Sequence, residues 1–441
     1  MRRLYPNGRN LLANRKNIFL FIILPGILTW IAYLVFTLLE DGGKSISLYM
    51  IIYSVGFVLF LSAYFFIKRN ENGEISFLKI KLPWLIIIFG LLFRLTLLPS
   101  ATSTSEDVYR YVWEGKVLLN GFNPLTIPPN DPQLEHFRDN VYDKITFKHI
   151  PAIYPPLSQL MFAAVYFFSG NSLLGFKIVF LICEAVTLIF LLKLLVLKKY
   201  NPNFVILYAW LPLPVMEYFI NTHLDPFGIM LMIISLYFIE KGNYLKSSVF
   251  LALSALARLY PAFLIPLIFR KIGFKKSLYF IITFSIVVII FYLPFLSGDL
   301  TLFKALSSYL ARWEFNGSVY NLLKSIFSDG EPARIICGIC FLISILIISF
   351  RYKDFLKASF GIFLSLAIFS STLYPWYLGW AAALNLFAGF YSILSLFFTI
   401  NFSNVTPMGE VWQEYTWVLL LEYIPFFIFL GYDLFKLKKS G

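Results

Sequence analysis

Apolar runs recur along this chain, most of them roughly 17 to 25 residues long and one of about 13, and the polar stretches between them carry most of its Lys and Arg. Runs of that length with few charges match the hydrocarbon thickness of a bilayer. They predict spans at about Ile18 to Leu39, Ile46 to Ile67, Leu82 to Pro99, Leu173 to Leu197, Phe204 to Ile220 and Phe227 to Ile239. Further spans follow at Leu278 to Leu296, Ala333 to Phe350, Phe355 to Thr372 and Thr416 to Phe435. Lipid leaves no water for unpaired backbone groups, so helices are the expected solution. The expected fold class is an all-α polytopic membrane protein, one transmembrane domain over 1–441, with about 10 to 13 spans plus re-entrant or interfacial helices.

Charge then orients the spans. Arg2, Arg3, Arg9, Arg15 and Lys16 precede the first run with no acidic residue among them, which predicts a cytoplasmic N-terminus. That run is too long for a signal-peptide core and no small-residue cleavage site follows it, so it reads as an uncleaved span. The same rule puts 100–152 outside as the longest polar loop and 297–332 outside as a second one. Long loops in compact proteins are commonly functional.

Three segments resist simple counting. Ile153 to Ser169 is short and opens with Tyr154-Pro155-Pro156, and the basic Lys198-Lys199 beyond the next run stays inside only if this segment is re-entrant or interfacial. The stretch 246–269 has basic clusters at both ends and predicts a break at Arg258-Leu259-Tyr260-Pro261, because proline removes a donor and restricts the residue before it. The stretch 373–400 predicts a tight pair of passes or a broken helix. With these solutions Glu106-Asp107, Tyr154, His223 with Asp225, Arg258 with Tyr260, Arg312-Trp313-Glu314 and Tyr374 to Tyr377 all fall on the outer side, which suggests one site assembled from several loops and helix breaks.

At 59% hydrophobic residues over 441 the chain is too apolar for a soluble protein. The net charge of +13 sits in loops and reads as topology, not as a nucleic-acid footprint. Cys337 and Cys340 form a C-x-x-C inside an apolar run, where packing is the expected role. No Walker-type or G-x-G-x-x-G loop occurs, and no soluble domain large enough for a nucleotide sugar, so any activated donor would have to be in the membrane already.

The densest polar constellation is Ser105 to Gly115. Asp107, with Glu106 in support, is the candidate general base, since a carboxylate at a partly apolar interface can take a proton from a hydroxyl. An acidic first helical turn, or an ion-pair stripe of Asp107, Arg110 and Glu114, explains the same residues. His223 and Asp225 stand between two apolar runs, where a polar site and a simple hairpin turn are both consistent. Arg258 lies inside an apolar segment, where an ionised group needs a partner, and a phosphate would explain it; snorkelling is the alternative. Arg312 is either a second phosphate clamp or an interfacial anchor. Arg94 is expected to snorkel, and Glu184 has no obvious partner. Tyr374, Trp376 and Tyr377 fit an aromatic belt or a sugar cradle.

Together these pieces resemble the GT-C superfamily of polyprenol-phosphate-sugar-dependent glycosyltransferases, most closely its bacterial mannosyltransferase-like branch. The resemblance rests on Ser105-Glu106-Asp107-Val108-Tyr109-Arg110-Tyr111-Val112-Trp113-Glu114-Gly115 with Gly121-Phe122-Asn123-Pro124, then Ile153-Tyr154-Pro155-Pro156-Leu157 and Asn221-Thr222-His223-Leu224-Asp225. Leu256-Ala257-Arg258-Leu259-Tyr260-Pro261 and Tyr374-Pro375-Trp376-Tyr377 complete it, in the family's order, between Arg94 and Trp380. It implies transfer of a mannose-like hexose, with inversion, from a polyprenyl-phosphate donor to a cell-envelope lipid or glycan acceptor at the outer face of a bacterial inner membrane. By the same resemblance Asp107 is the catalytic carboxylate and Glu106 its neighbour, Arg258 binds the donor phosphate with Arg110 or Arg312, and Tyr154, His223, Asp225, Tyr260, Tyr374, Trp376 and Tyr377 line the substrate site. The scheme requires no cofactor and no metal, although it leaves a divalent ion open. Two departures stand out: the carboxylate pair is Glu-Asp where Asp-Asp is common, and Tyr374 stands where relatives often carry His. A lipid or sugar transporter is the rival reading, because broken helices and buried charges also mark substrate paths. An accessory subunit of a cell-envelope complex is a third.

Overall fold

The computed structural model describes residues 17–39, 45–71, 76–77, 80–296, 301–408 and 413–440. The basic residues ahead of the first run and the turn at 40–44 lie outside the described residues. Among those described, six helices are long and apolar enough to cross a membrane: α1 (Phe19–Leu39), α2 (Ile46–Arg69), α6 (Leu174–Leu197), α11 (Phe274–Tyr292, extended to Phe295), α14 (Gly330–Arg351) and α18 (Thr416–Ser440). Shorter helices fill the remainder: α3 (Leu82–Thr96), α4 (Asp107–Leu119), α5 (Pro156–Ser169), α7 (Pro212–Phe219), α8 (Asp225–Glu240), α9 (Tyr244–Ala257) and α10 (Ile265–Ile272). After them come α12 (Lys304–Arg312), α13 (Ser318–Phe327), α15 (Phe355–Phe369), α16 (Gly379–Ala388) and α17 (Tyr391–Thr399). The protein is a multi-pass, all-α membrane protein, as its apolar runs predict.

Burial separates the long helices from the short ones. On α11, Leu278, Ile282, Ile286, Ile289 and Ile290 are exposed, and on α14 so are Ile335, Ile339, Leu342, Ile343 and Leu346. Such stripes at helical spacing are the surfaces lipid covers. In contrast, every residue of α7 is buried, and nearly all of α16. The short, proline-opened helices thus form the interior that carries the polar groups.

The two ends of the bundle can be told apart by contacts. At one end Glu240, the last residue of α8, accepts from Lys198 (3.2 Å) and Lys271 (2.8 Å). Nearby, Lys68 Nζ meets the Tyr391 hydroxyl at 2.5 Å, Tyr200 donates to Asp354 (2.9 Å), and Asp433 accepts the backbone N–H groups of Tyr391 and Ser392. This is the basic end. At the opposite, loop end Asp139 joins Lys116 (2.9 Å) to Asn171 (3.1 Å), and Asn123 donates to the carbonyl of Phe295 (2.9 Å).

These contacts resolve the ambiguous segments. Lys271 and Glu240 touch, so α9 and α10 begin and finish at the basic end, and the chain turns between them where Arg258 is extended (φ −148°, ψ 135°). α5 runs from the interior to the loop end, where Asn171 reaches Asp139, as a re-entrant or interfacial piece would. It packs along α4 so closely that a Cβ on Gly115 would lie 2.4 Å from the Phe162 carbonyl oxygen. α16 and α17, of 10 and 9 residues, are two short helices joined at Gly389, whose φ of 67° suits glycine.

Two expectations need correction. The run at 204–220 is not one helix: a 3₁₀ turn (Pro202–Val205) and a single α-turn (Ile206–Ala209) end before α7, because Pro212 lacks an N–H and its predecessor Leu211 is extended (ψ 122°). The Ala209 carbonyl accepts from Arg94 Nη1 at 2.8 Å. Arg94 therefore does not snorkel. It is fully buried, with Nε and Nη2 on Glu184 Oε2 (2.9 and 2.7 Å) and Nη1 also on Gly90 (2.8 Å), while Tyr208 donates to Glu184 Oε1 (2.7 Å). Glu184, without an obvious partner in the sequence, is half of a buried, fully bonded ion pair.

Candidate active site

The site lies towards the loop end, where α4, the α7–α8 hairpin, the α9–α10 break and the start of α16 converge. Asn221 ties the first two together. Its Oδ1 accepts from the N–H groups of Ser103 (3.2 Å) and Thr104 (2.9 Å), and its Nδ2 donates to Thr104 Oγ1 (2.6 Å) and Glu217 Oε2 (3.0 Å). The next residue, Thr222, has φ of 60°, a conformation uncommon outside glycine, and the tight turn it makes brings His223 under the first turn of α4.

Asp107 opens α4, and its Oδ2 lies 3.8 Å from His223 Nδ1; on the far side of the ring His223 Nε2 is 3.6 Å from Glu217 Oε2. His223 and Glu217 are buried, while the Asp107 side chain keeps 36% of its surface open. Neither imidazole nitrogen has a hydrogen-bond partner among the described residues. The ring is clamped from one face by Trp376 (centroids 3.6 Å, planes 15° apart), and the stack continues through Tyr374 (4.5 Å) to Phe315 (4.6 Å).

Beside this row stands Arg258. Its Nη2 donates to Asp225 Oδ2 at 3.2 Å, and Asp225 Oδ1 accepts the indole N–H of Trp380 at 2.8 Å. The guanidinium carbon sits 5.0 Å from the centre of the Tyr154 ring and 5.6 Å from that of Tyr377. Tyr260 packs edge-on to Tyr377 and Trp380, and the Tyr377 hydroxyl meets that of Tyr309 at 2.7 Å. Arg258 Nε has no partner among the described residues. The partial desolvation of Asp107 pushes its carboxyl above the usual carboxylate range, and Arg258 first, then Arg110, pull it part of the way back.

A family model described as the N-terminal domain of alpha-(1->6)-mannopyranosyltransferase matches residues 23–271, more than half of the chain. The chain belongs to this mannosyltransferase family. It is a membrane glycosyltransferase of the mannose-transferring kind, and the transporter and accessory-subunit readings fall away. No curated protein and no solved structure matches the chain. The matched stretch contains Asp107, Tyr154, Glu217, His223, Asp225, Arg258 and Tyr260, while the mannosyltransferase draws Trp376, Tyr377 and Trp380 from beyond it.

The fold brings together Asp107, Tyr154, His223, Asp225, Arg258, Tyr260, Tyr374, Trp376 and Tyr377. It does not bring in Glu106, which is exposed at the N-cap of α4. Arg110 is committed elsewhere: Nε bonds Glu114 (2.8 Å), Nη1 the Phe147 carbonyl (3.1 Å) and Nη2 that of Ile150 (2.5 Å), so it pins the outer loop. Arg312 is exposed at the end of α12, one turn beyond Tyr309. Among the described residues no group of three or more His, Cys, Asp or Glu is disposed to hold a metal ion.

Two members of the site escaped the sequence reading. Glu217 is a carboxylate within an apolar run, which is itself a signal for function. Trp380 gave no such sign, because an indole five residues beyond Pro375 is indistinguishable from a packing residue until Asp225 is seen to need its N–H.

Proposed function

We propose that this mannosyltransferase moves a mannosyl residue from a polyprenyl-phosphate donor to a hydroxyl of a cell-envelope glycan or lipid, at the extracytoplasmic face of a bacterial inner membrane, with its N-terminus cytoplasmic. The observation that carries this reading is the convergence of Asp107 and Arg258, a partly open carboxylate and a buried guanidinium, in one aromatic-lined site. In the reaction the acceptor oxygen attacks the anomeric carbon from the face opposite the phosphate, and its proton passes to Asp107. The bond from that carbon to the phosphate oxygen breaks, and the configuration inverts. Negative charge builds on the leaving phosphate, where Arg258 stabilises it, and the Trp380-bound Asp225 holds that guanidinium in place. Tyr154, Tyr260 and Tyr377 beside Arg258 supply ring surface for the sugar, while Trp376 and Tyr374, whose faces are taken up by the stack from His223 to Phe315, form the wall that holds His223 in place. Between α15 and α16, beside Tyr260 and Tyr377, lies a small cavity of about 30 Å³, lined mostly by apolar residues such as Phe363, Leu366, Ala367 and Ala381 with Ser370 and Thr372 at its edge. The scheme requires no metal or other cofactor.

The test is transfer from radiolabelled polyprenyl-phosphate mannose to octyl α-mannoside in membranes holding the wild type, Asp107→Asn or Arg258→Ala at matched abundance. Asp107→Asn is expected to lower kcat by at least a hundredfold, and Arg258→Ala to lower kcat and weaken donor binding together. Unchanged activity in Asp107→Asn removes it as the base, and no transfer by the wild type overturns this donor and acceptor class.

A further inference from the structure

Glu217 is not needed to explain the reaction above, yet it is buried in the interior of an apolar run, where a carboxylate is costly. Two donors hold it, Tyr49 on Oε1 (2.8 Å) and Asn221 on Oε2 (3.0 Å). Those bonds satisfy a buried acid, but they do not account for what lies beyond it. Oε2 also faces His223 Nε2 at 3.6 Å, and the other edge of the same ring faces Asp107 at 3.8 Å. Trp376 covers one face of the imidazole at 3.6 Å, so the ring keeps its plane with Nδ1 towards Asp107 and Nε2 towards Glu217. Closing each gap to a hydrogen bond of about 2.8 Å needs a shift of roughly 1 Å.

We propose that Glu217 is a positioning residue for Asp107 and acts through His223. Its carboxylate selects the imidazole tautomer with the proton on Nε2, which leaves the Nδ1 lone pair aimed at Asp107. Once Asp107 has taken the proton of the acceptor hydroxyl, that proton passes to Nδ1 while the Nε2 proton passes to Glu217. Asp107 is again a carboxylate, His223 remains neutral in its other tautomer, and one proton rests on Glu217. No electron changes hands, and the reverse shift returns the proton to water at the open side of Asp107. The charged or titratable groups facing this row are Arg258, Arg110, Asp225, Tyr111, Tyr154 and Tyr374 around Asp107, Arg258 beside His223, and Tyr49, Tyr53, Tyr218 and Asp225 around Glu217.

This inference rests on Asp107 being the base, and the experiment separates the two. With radiolabelled polyprenyl-phosphate mannose and octyl α-mannoside, Glu217→Gln is expected to lower kcat ten- to a hundredfold with both KM values unchanged, and Glu217→Asp to fall between it and the wild type. In an Asp107→Asn background Glu217→Gln is expected to cost nothing further. Full activity in Glu217→Gln, or an equal loss with and without Asp107, overturns the relay while leaving the base in place; full activity in Asp107→Asn sinks both. A readout independent of turnover is ¹⁵N-histidine NMR, which is tractable because the chain has 3 histidines. His223 should be the Nε2–H tautomer in the wild type and lose that preference in Glu217→Gln. The same tautomer in both proteins overturns the proposal.

Discussion

His223 lies face to face with Trp376, their ring centres 3.6 Å apart and their planes 15° from parallel. The contact joins the α7–α8 hairpin to the start of α16 and fixes which edge of the imidazole faces Asp107. Trp376→Ala should free the ring to tilt and lower kcat about tenfold, whereas Trp376→Phe, which keeps a stacking face, should retain most of the activity. Transfer assays at matched abundance check both, and equal losses in the two variants would mean that the stack does not set the ring's orientation.

The state of Asp107 gives a pH dependence with a definite sign. A general base works as the carboxylate, and desolvation raises this group above its ordinary value of 3.8. Activity should therefore fall on the acid side through an apparent pKa above 3.8, not at it. Arg110 is one of the charges that pull the value down. Arg110→Gln should move the acid limb of kcat to higher pH, by a modest amount because Asp107 is partly open to solvent. A limb that stays in place or moves to lower pH would show that the titrating group is not Asp107.

The membrane class, the shortness of α5 beside the spans and the break at Arg258 were legible in the sequence because hydropathy and charge report on span ends. That Asp107, His223 and Arg258 share one site was legible twice over, in the side of the membrane that charge bias gives each cluster and in the order of the motifs. Side-chain partnerships were not. Arg94 has the look of a snorkelling residue near a span end, and its actual role follows from a break before Pro212 that exposes the Ala209 carbonyl far along the chain. Arg110 has the look of a phosphate clamp until the loop carbonyls of Phe147 and Ile150 are found to occupy it. Pattern and periodicity place residues on segments; which donor meets which acceptor depends on how segments pack.

Gly379 is set by packing against the site. A Cβ there would lie 1.7 Å from the Tyr218 hydroxyl oxygen, and Tyr218 is wholly buried in α7. Gly379→Ala should therefore displace α16, and with it Trp380 and the Asp225 it bonds, and should lower both abundance and activity. Tyr218→Phe removes the clashing oxygen and leaves the next ring atom 3.0 Å away, so the double variant should recover part of the loss. Purified yield and transfer rate check it; a Gly379→Ala variant with full yield and rate would mean that the helix has room to shift.

The buried pair of Arg94 and Glu184 tests whether ions inside the bundle stabilise it or fix its geometry. Both side chains are wholly buried, and every donor of the pair is aimed at Glu184, Gly90 or Ala209. Removing one partner strands a charge in a low-dielectric interior, so Glu184→Leu alone should destabilise the protein by about 3–5 kcal/mol. Replacing both, Arg94→Met with Glu184→Leu, in a Tyr208→Phe background that has no hydroxyl to lose its acceptor on Glu184, removes the stranded charge but leaves the Ala209 carbonyl without a donor at the break before α7. That residual cost should be about 1–3 kcal/mol, the price of one buried unsatisfied acceptor. Thermal unfolding of the single and double variants in detergent distinguishes the two contributions. A double variant as unstable as Glu184→Leu would mean that the guanidinium acts chiefly by capping Ala209, whereas one as stable as the wild type would mean that the break before Pro212 holds without it.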